Sequence, residues 1–440
     1  MAFGALRSFP QSRKMAAGAA LGGAFTLALL LYWQHDGSSD AGTTLTTAWQ
    51  MSQGKRLYYD LVDFYPPGSF ALLAGVFSLL GPSYLAARAV FFGLLLVAGL
   101  MVWRGSRTWL PRGWSLAGLL VWLVFFAFYP LINHNPLSLW LACTAWVLWT
   151  TAFERGGHGW AAAAGVVAGL ASITLQTKGL AVLGAAALTV AVHDRRQWRL
   201  LLWLGLGFLA ALVPLFLFWR PALLWELLVA IPSRSYGVAP GRLEYELLAL
   251  VFGVHAAAGW QLVRQRAPMA VFGWWWLGAA LLVSTVIRSD AHHVVMNSLP
   301  LALVTLWLLA PWRFRKTRGW RHVLDRLLVT TVAAYPATVV VVTLVALPAG
   351  LPTAQGRTWT QWLTLRNPAI EEIVLAVQTR VPPGKPIYAG PFLANAYFET
   401  QRANPTRFNN LITGLYPRAF FAEARASLEA HPPAVALVNY

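Results

Sequence analysis

Long apolar runs separated by short charged or Gly/Pro-marked breaks constrain this chain more than any motif it carries. A run of roughly 17–25 apolar residues is the length that crosses the hydrocarbon of a bilayer as a helix. About eleven such windows can be read, near 15–33, 84–103, 114–130, 137–153, 160–175, 179–193, 200–219, 246–263, 269–287, 293–311 and 327–348. The stretch 68–80 is apolar but too short to span, and reads as a re-entrant or interfacial helix leading into the second span. Composition agrees: 58% of residues are hydrophobic and only 11% charged, against roughly 25% charged in soluble domains. Many of the 23 tryptophans sit near the ends of apolar runs, as interfacial anchors do. The expected fold is an all-α polytopic membrane protein.

The loops set its orientation. Lys and Arg concentrate in cytoplasmic loops, and here every second loop is basic: Arg104, Arg107 and Arg112; Arg155; Arg195, Arg196 and Arg199; Arg264 and Arg266; then Arg313, Arg315, Lys316, Arg318, Arg321 and Arg326. The first apolar run is longer than a signal-peptide core, and it ends in YWQHD without small-residue cleavage chemistry. It therefore reads as an uncleaved span with a cytoplasmic N-terminus. Loops 34–68, 131–136, 176–178, 220–245 and 288–292 then face outward, in what reads as a bacterial inner membrane. The formal charge of +18 is spread over these short clusters, with no stripe or patch of the kind that binds nucleic acid. Cys143 is the only cysteine, so no intramolecular disulfide forms.

From Gly350 the chain changes character, becoming rich in Pro, Arg, Asn and Thr. PAIEEIVLAVQTRV has helical spacing, while KPIYAGP and AVALVNY read as short strands bounded by Pro and Gly. Residues 1–349 are expected to form the membrane domain, and 350–440 a small extracytoplasmic α/β domain.

The first outer loop holds the chemistry. QHDGSSDAGTTLTTAWQMSQGKRLYYDLVDFYPPG, residues 34–68, carries Asp36, Asp40, Asp60 and Asp63, four of the 16 acids in the chain. Such a cluster at a membrane surface is expensive unless it binds or reacts with something. TTLTTAWQMSQG reads as a short helix stopped by Gly54, with Asp40 placed as its N-cap or, equally, as a general base. Pro66 and Pro67 impose a rigid lead into the next apolar helix.

This order of features resembles the GT-C glycosyltransferases: an apolar first span, an outer loop opening on an Asp, a helix ending in Gly, then D-x-x-D-F-x-P-P-G. More narrowly, it resembles the protein-mannosyltransferase and aminoarabinose-transferase group (glycosyltransferase family 39 and relatives). IRSDAHHV, with Arg288, Asp290 and His293, is similar to an R-x-D-x-x-H outer loop of bacterial members. PIYAGPFLANAYFETQRANPTRF is similar to a tail segment of a bacterial subgroup. The resemblance implies a sugar donor on a polyprenyl phosphate, an acceptor hydroxyl on a protein, glycan or lipid, and Asp40 as the catalytic acid. The chain departs from the pattern twice. Asp40 is followed by Ala41 instead of a second acid, and Tyr65 stands where the group often has a phosphate-binding Lys before the Pro-Pro pair.

A sugar on a lipid phosphate already has a good leaving group. The protein must deprotonate the acceptor and hold it in line with the anomeric carbon, which inverts that centre. It must also stabilise the departing phosphate. Candidates for donor-phosphate or acceptor binding are Lys55, Arg56, Tyr65, Arg88, Lys178, Arg288, Asp290 and His293, with Asp60 and Asp63 as supporting acids. A divalent metal held among Asp36, Asp40, Asp60, Asp63, His35, His292 and His293 has no ligand spacing to support it, and no nucleotide or other cofactor motif is present. Two rival classes remain, a transporter or flippase of lipid-linked sugars and a structural subunit of the envelope. Near-absence of acids within the spans and lack of a repeat argue against the transporter. If the orientation holds, an Asp40→Cys variant in intact cells is labelled by a membrane-impermeant maleimide; labelling only after lysis would place the loop in the cytoplasm.

Overall fold

The computed structural model describes residues 38–438 apart from 128–129, 236–240, 287–289, 311–319, 351–357, 366 and 414–415, with scattered positions between 18 and 33. The expected first span, His35, Asp36, Arg288 and most of the basic loop 311–319 thus lie wholly or largely outside the described residues.

Helices dominate. Residues Ser39–Ser52 of the acid-bearing loop form α1, and α2 (Gly68–Leu80) follows the Pro-Pro pair. Then come α3 (Tyr84–Ser106), α4 (Arg112–Ala127), α5 (His134–Arg155), α6 (His158–Thr174), α7 (Gln176–His193) and α8 (Trp198–Phe218). Short helices α9 (Pro221–Trp225) and α10 (Ile231–Ser235) flank a single π turn at Glu226–Ala230. They are followed by α11 (Arg242–Arg264), α12 (Met269–Val283), α13 (Ala291–Asn297), α14 (Leu299–Leu309) and the long α15 (Trp320–Gly350). The tail comprises α16 (Trp359–Leu363), α17 (Pro368–Arg380), β1 (Ile387–Gly390), α18 (Ala394–Thr400), α19 (Arg418–Ala430) and β2 (Val435–Val438).

Each of the ten expected spans after the first meets a helix, but not a uniform one. Among the described residues five helices are long and apolar enough to cross a bilayer: α3, α5, α8 with the turn before it, α11, and Arg326–Val345 within α15. The window 293–311 is broken instead. α13 and α14 meet at Ser298 with a 48° bend, and Pro300 stands in the first turn of α14. Helices α2, α6 and α12 and the apolar part of α4 are shorter, at 10–17 residues. Windowed hydropathy reads apolar length and cannot see such a bend. The loop 220–245 was read without structure; α9, the π turn and α10 occupy its first half.

Small residues let the helices approach closely, as they do where lipid supplies no hydrophobic drive between helices. A Cβ on Gly165 of α6 would lie 2.0 Å from the Leu204 carbonyl oxygen of α8, and one on Gly207 would lie 2.1 Å from the Ala162 carbonyl oxygen. The two glycines set the contact between α6 and α8 from both sides.

In the tail, β1 and β2 pair in parallel, Ile387 opposite Val435 and Gly390 opposite Val438. Helices α18 and α1 are in direct contact: the Thr46 hydroxyl donates to the Ala394 carbonyl at 2.7 Å, and a Cβ on Gly42 would fall 2.5 Å from the Asn395 nitrogen. The tail is therefore seated on the helix that follows the first apolar run.

Overpacking a tight contact costs about 1–3 kcal/mol. Gly207→Ala is expected to lower the melting temperature in detergent. Gly205→Ala, where a Cβ meets nothing within 4 Å, leaves it unchanged on the same helix.

Candidate active site

The helix that presents Asp40 starts two residues earlier than an Asp40 cap would place it. Ser38, not Asp40, is the N-cap of α1, its hydroxyl accepting from the Ala41 amide. A serine in extended backbone closes the first turn as effectively as an aspartate, and Asp40 is left in the first turn, half-buried. Its side chain is thereby freed from capping. Beyond Ser52 the chain turns through Gly54, at φ +93°, as the sequence suggested.

Asp63 is sealed inside the loop, 3% exposed. Its Oδ1 accepts the backbone amides of Phe64 at 2.7 Å and Tyr65 at 3.1 Å. Burial pushes its carboxyl up to about 7; the two amides pull the other way, and nearby Asp40 raises it further. Tyr58, also buried, donates its hydroxyl to the Tyr65 carbonyl at 2.7 Å. Burial first, then the Asp63 charge, hold that phenol well above its usual range. Tyr65 stacks on His134, with ring centroids 3.6 Å apart.

Phe64 and Tyr65 form one wall of a cavity of about 320 Å³. His134 and Asn135 line it from the start of α5, Gln176, Thr177 and Lys178 from the start of α7, and Ser284, Thr285, His293 and Asn297 from around α12 and α13. Leu228, Val229, Pro232 and Ser233 of the 221–235 segment complete it. Lys178 is 4% exposed, and its Nζ donates to Asn297 Oδ1 at 2.6 Å and Ser284 Oγ at 3.1 Å. Among the described residues no carboxylate pairs with it. A buried ammonium without a counter-ion is costly; here an amide oxygen and a hydroxyl are its acceptors. The bend after Asn297 is what turns that amide toward the lysine. Asp290 caps α13 by accepting from the His293 amide at 3.1 Å, and both of its oxygens lie 2.8 Å from His293 Nδ1.

The structure thus brings Asp40 and Asp63 together, and gathers Tyr65, Lys178 and His293, with Asp290 behind it, around one cavity. Other sequence candidates lie elsewhere. Arg56 and Asp60 form an exposed ion pair at 3.2 Å, whose hydrogen bonds hold Asp60 below the usual carboxylate range; Lys55 lies near Asp60. None of the three lines the cavity. Arg88 is buried and structural, with its guanidinium on the Pro130 carbonyl and the Tyr84 hydroxyl and 4.9 Å from the Tyr32 ring. Arg288 is outside the described residues. No group of three or more His, Cys, Asp or Glu gathers among the described residues to hold a metal.

The sequence reads His134, in NHNP, as a loop residue and does not single out Asn135, Gln176 or Asn297; all four line the cavity. The first two sit in NHNP, a polar break where an apolar span begins, and Gln176 shares the TLQTKG break with Lys178. Polar residues clustered where two spans meet were the available signal.

With this geometry in view, the likeness to solved structures is informative. ArnT from Cupriavidus metallidurans bound to undecaprenyl phosphate superposes with a TM-score of 0.65 at 16% identity, covering 96% of this chain and 89% of that one. This chain has the GT-C fold. The apo form of the same ArnT gives a TM-score of 0.61 over 90% of this chain and 86% of that one, again at 16% identity. The archaeal oligosaccharyltransferase AglB from Archaeoglobus fulgidus, in complex with an inhibitory peptide and a dolichol-phosphate, gives 0.52 at 12% identity, over 90% of this chain and 65% of that one. No protein-family model and no curated protein matches the sequence.

The raised Asp63 carboxyl has a measurable signature. Folded Asp63 keeps its proton up to about pH 7, whereas the unfolded chain releases it near 3.8. The folded state therefore loses stability as pH rises through that window. Asp63→Asn, which retains the acceptor for both amides, is expected to melt higher than the native protein at pH 8, with the gain shrinking toward pH 5.

Proposed function

We propose that the protein is a membrane glycosyltransferase that moves a sugar from a polyprenyl-phosphate donor to an acceptor hydroxyl on the extracytoplasmic face, with inversion. One observation carries this reading: within a GT-C fold, a cavity holding the buried, carboxylate-free Lys178 is walled by the segment that follows Asp63. The ArnT and AglB structures, crystallised with undecaprenyl phosphate and dolichol-phosphate, lend it support at the level of fold.

In this mechanism the donor phosphate meets Lys178, which takes the task that the resemblance gives to a lysine at position 65. Asp40, half-buried and close to Asp63, removes the acceptor proton as the new glycosidic bond forms and the bond to phosphate breaks. The lining beyond Lys178 and His293 is made of hydroxyls, amides and apolar groups, which suits a neutral hexose or pentose. Residues 1–349 act as the catalytic membrane domain, in a bacterial inner membrane with the N-terminus cytoplasmic, and 350–440 as a small outer α/β unit. A flippase of lipid-linked sugars would need paired broken helices in repeated halves; one bent pair occurs among the described residues.

General-base catalysis contributes typically 10²–10⁴-fold. Purified protein given a synthetic polyprenyl-phosphate hexose and a hydroxyl acceptor is expected to transfer the sugar. Asp40→Asn should lower kcat by at least about 100-fold, and Lys178→Gln should raise the KM for donor. Full turnover by Asp40→Asn would remove Asp40 as the base, and movement of the lipid across liposomes without transfer would favour the flippase.

A further inference from the structure

We infer that Asn409 is a positioning residue: through it, residues 404–409, with Tyr416, clamp the Asp40 helix and the Asp63 loop into one register. The inference rests on the glycosyltransferase reading for its catalytic meaning, but the clamp itself is visible in contacts that owe nothing to that reading.

Asn409 is 3% exposed. Its Nδ2 donates to Thr47 Oγ1 at 3.1 Å and to Gln50 Oε1 at 2.8 Å. Positions 40, 44, 47 and 51 follow one another along a single helical stripe, because residues three and four apart share a face. Thr47 therefore lies two turns from Asp40 on the same side of α1. Two residues before Asn409, the Arg407 carbonyl accepts the Val62 amide at 3.0 Å, immediately ahead of Asp63. Beyond it, the Tyr416 ring packs on Phe64, centroids 4.2 Å apart, immediately after Asp63. One short segment thus grips both acid-bearing elements.

The segment is stiff enough to transmit that grip. Asn404 Oδ1 accepts from the Thr406 amide at 2.9 Å and its hydroxyl at 3.0 Å, while Asn404 Nδ2 donates to the Phe408 carbonyl at 2.9 Å. Arg407 is fixed outward by Glu423 through two bonds of 2.5 and 2.9 Å. The same cover keeps water from Asp63. Asp40 from α1 raises Asp63, and Asp63 in turn raises Tyr58 of its own loop; on the tail, Arg407 is paired with Glu423.

Loosening the clamp should separate the carboxylates and wet Asp63, leaving the Lys178 side of the cavity intact. The test uses full-length Asn409→Ala, with Asn404→Ala as a second variant that loosens the segment without touching α1. Two readouts apply. The first is thermal stability: the melting gain given by Asp63→Asn at pH 8 in the native background is expected to fall by at least half in either variant background. The second is transfer: kcat is expected to drop by about 10-fold or more with the donor KM within about 2-fold, and the acidic limb of the pH profile should move to lower pH. If both variants merely melt lower while the Asp63→Asn gain and the pH profile stay native, the residue is structural only and the inference falls. Should no form of the protein transfer sugar, the glycosyltransferase reading falls, and the stability readout alone still decides the clamp.

Discussion

A short helix whose middle is buried on every side, yet carries four threonines and a glutamine, is the constraint from which the contact between the first loop and the tail follows. Ala41 to Gln50 of α1 are all buried, and that stretch includes Thr43, Thr44, Thr46, Thr47 and Gln50. Buried hydroxyls and amides must be hydrogen-bonded. Thr43 and Thr44 turn back on the carbonyls of Ser39 and Asp40, but Thr46, Thr47 and Gln50 reach to the tail, to Ala394 and Asn409. The tail is thus required by the polarity of α1. Its presence in turn dries the loop in which Asp63 sits, so that one requirement for hydrogen bonding produces an unusually proton-retentive carboxyl beside Asp40.

Much of this was legible beforehand, for identifiable reasons. Apolar length revealed the helices, since a bilayer permits few other structures, and the alternation of basic loops supplied a consistent orientation. The helix after Asp40, the Gly54 stop, the helix 368–380 and the two tail strands followed from periodicity and turn residues. What escaped was non-local. Nothing in the spacing of Ser38 and Asp40 tells which will cap. Arg88 looked available because two of its partners, Tyr32 and the Pro130 carbonyl, come from separate stretches, while the Tyr84 hydroxyl meets it from one turn earlier on α3. Arg56 and Asp60 found each other at i,i+4 and stayed in water. Lys178 was ambiguous in sequence, being as compatible with snorkelling as with burial. It is buried because the bend after Asn297 and the end of α12 bring it an amide and a hydroxyl in place of a carboxylate.

The cavity is therefore asymmetric in charge. At the start of α7 an ammonium has neutral acceptors; on the opposite wall Phe64 and Tyr65 are held by Asp63, which feels the charge of Asp40, and neither carboxyl lines the cavity itself. A ligand with an anionic head and a neutral, hydroxyl-rich body matches that arrangement. The departure at Tyr65, where related patterns carry a lysine, acquires a physical sense. A cation there would sit within reach of Asp63 and suppress its raised carboxyl, whereas the tyrosine stacks on His134 and leaves the positive charge to Lys178.

The bonds between α1 and the tail join residues about 350 positions apart, with separations of 348, 359 and 362. During synthesis the threonine helix leaves the ribosome long before the segment that covers it. Every span between them must be threaded first. The contact between α1 and the tail is thus among the last in the molecule to close, and until it does Asp63 lacks the cover that the folded chain gives it.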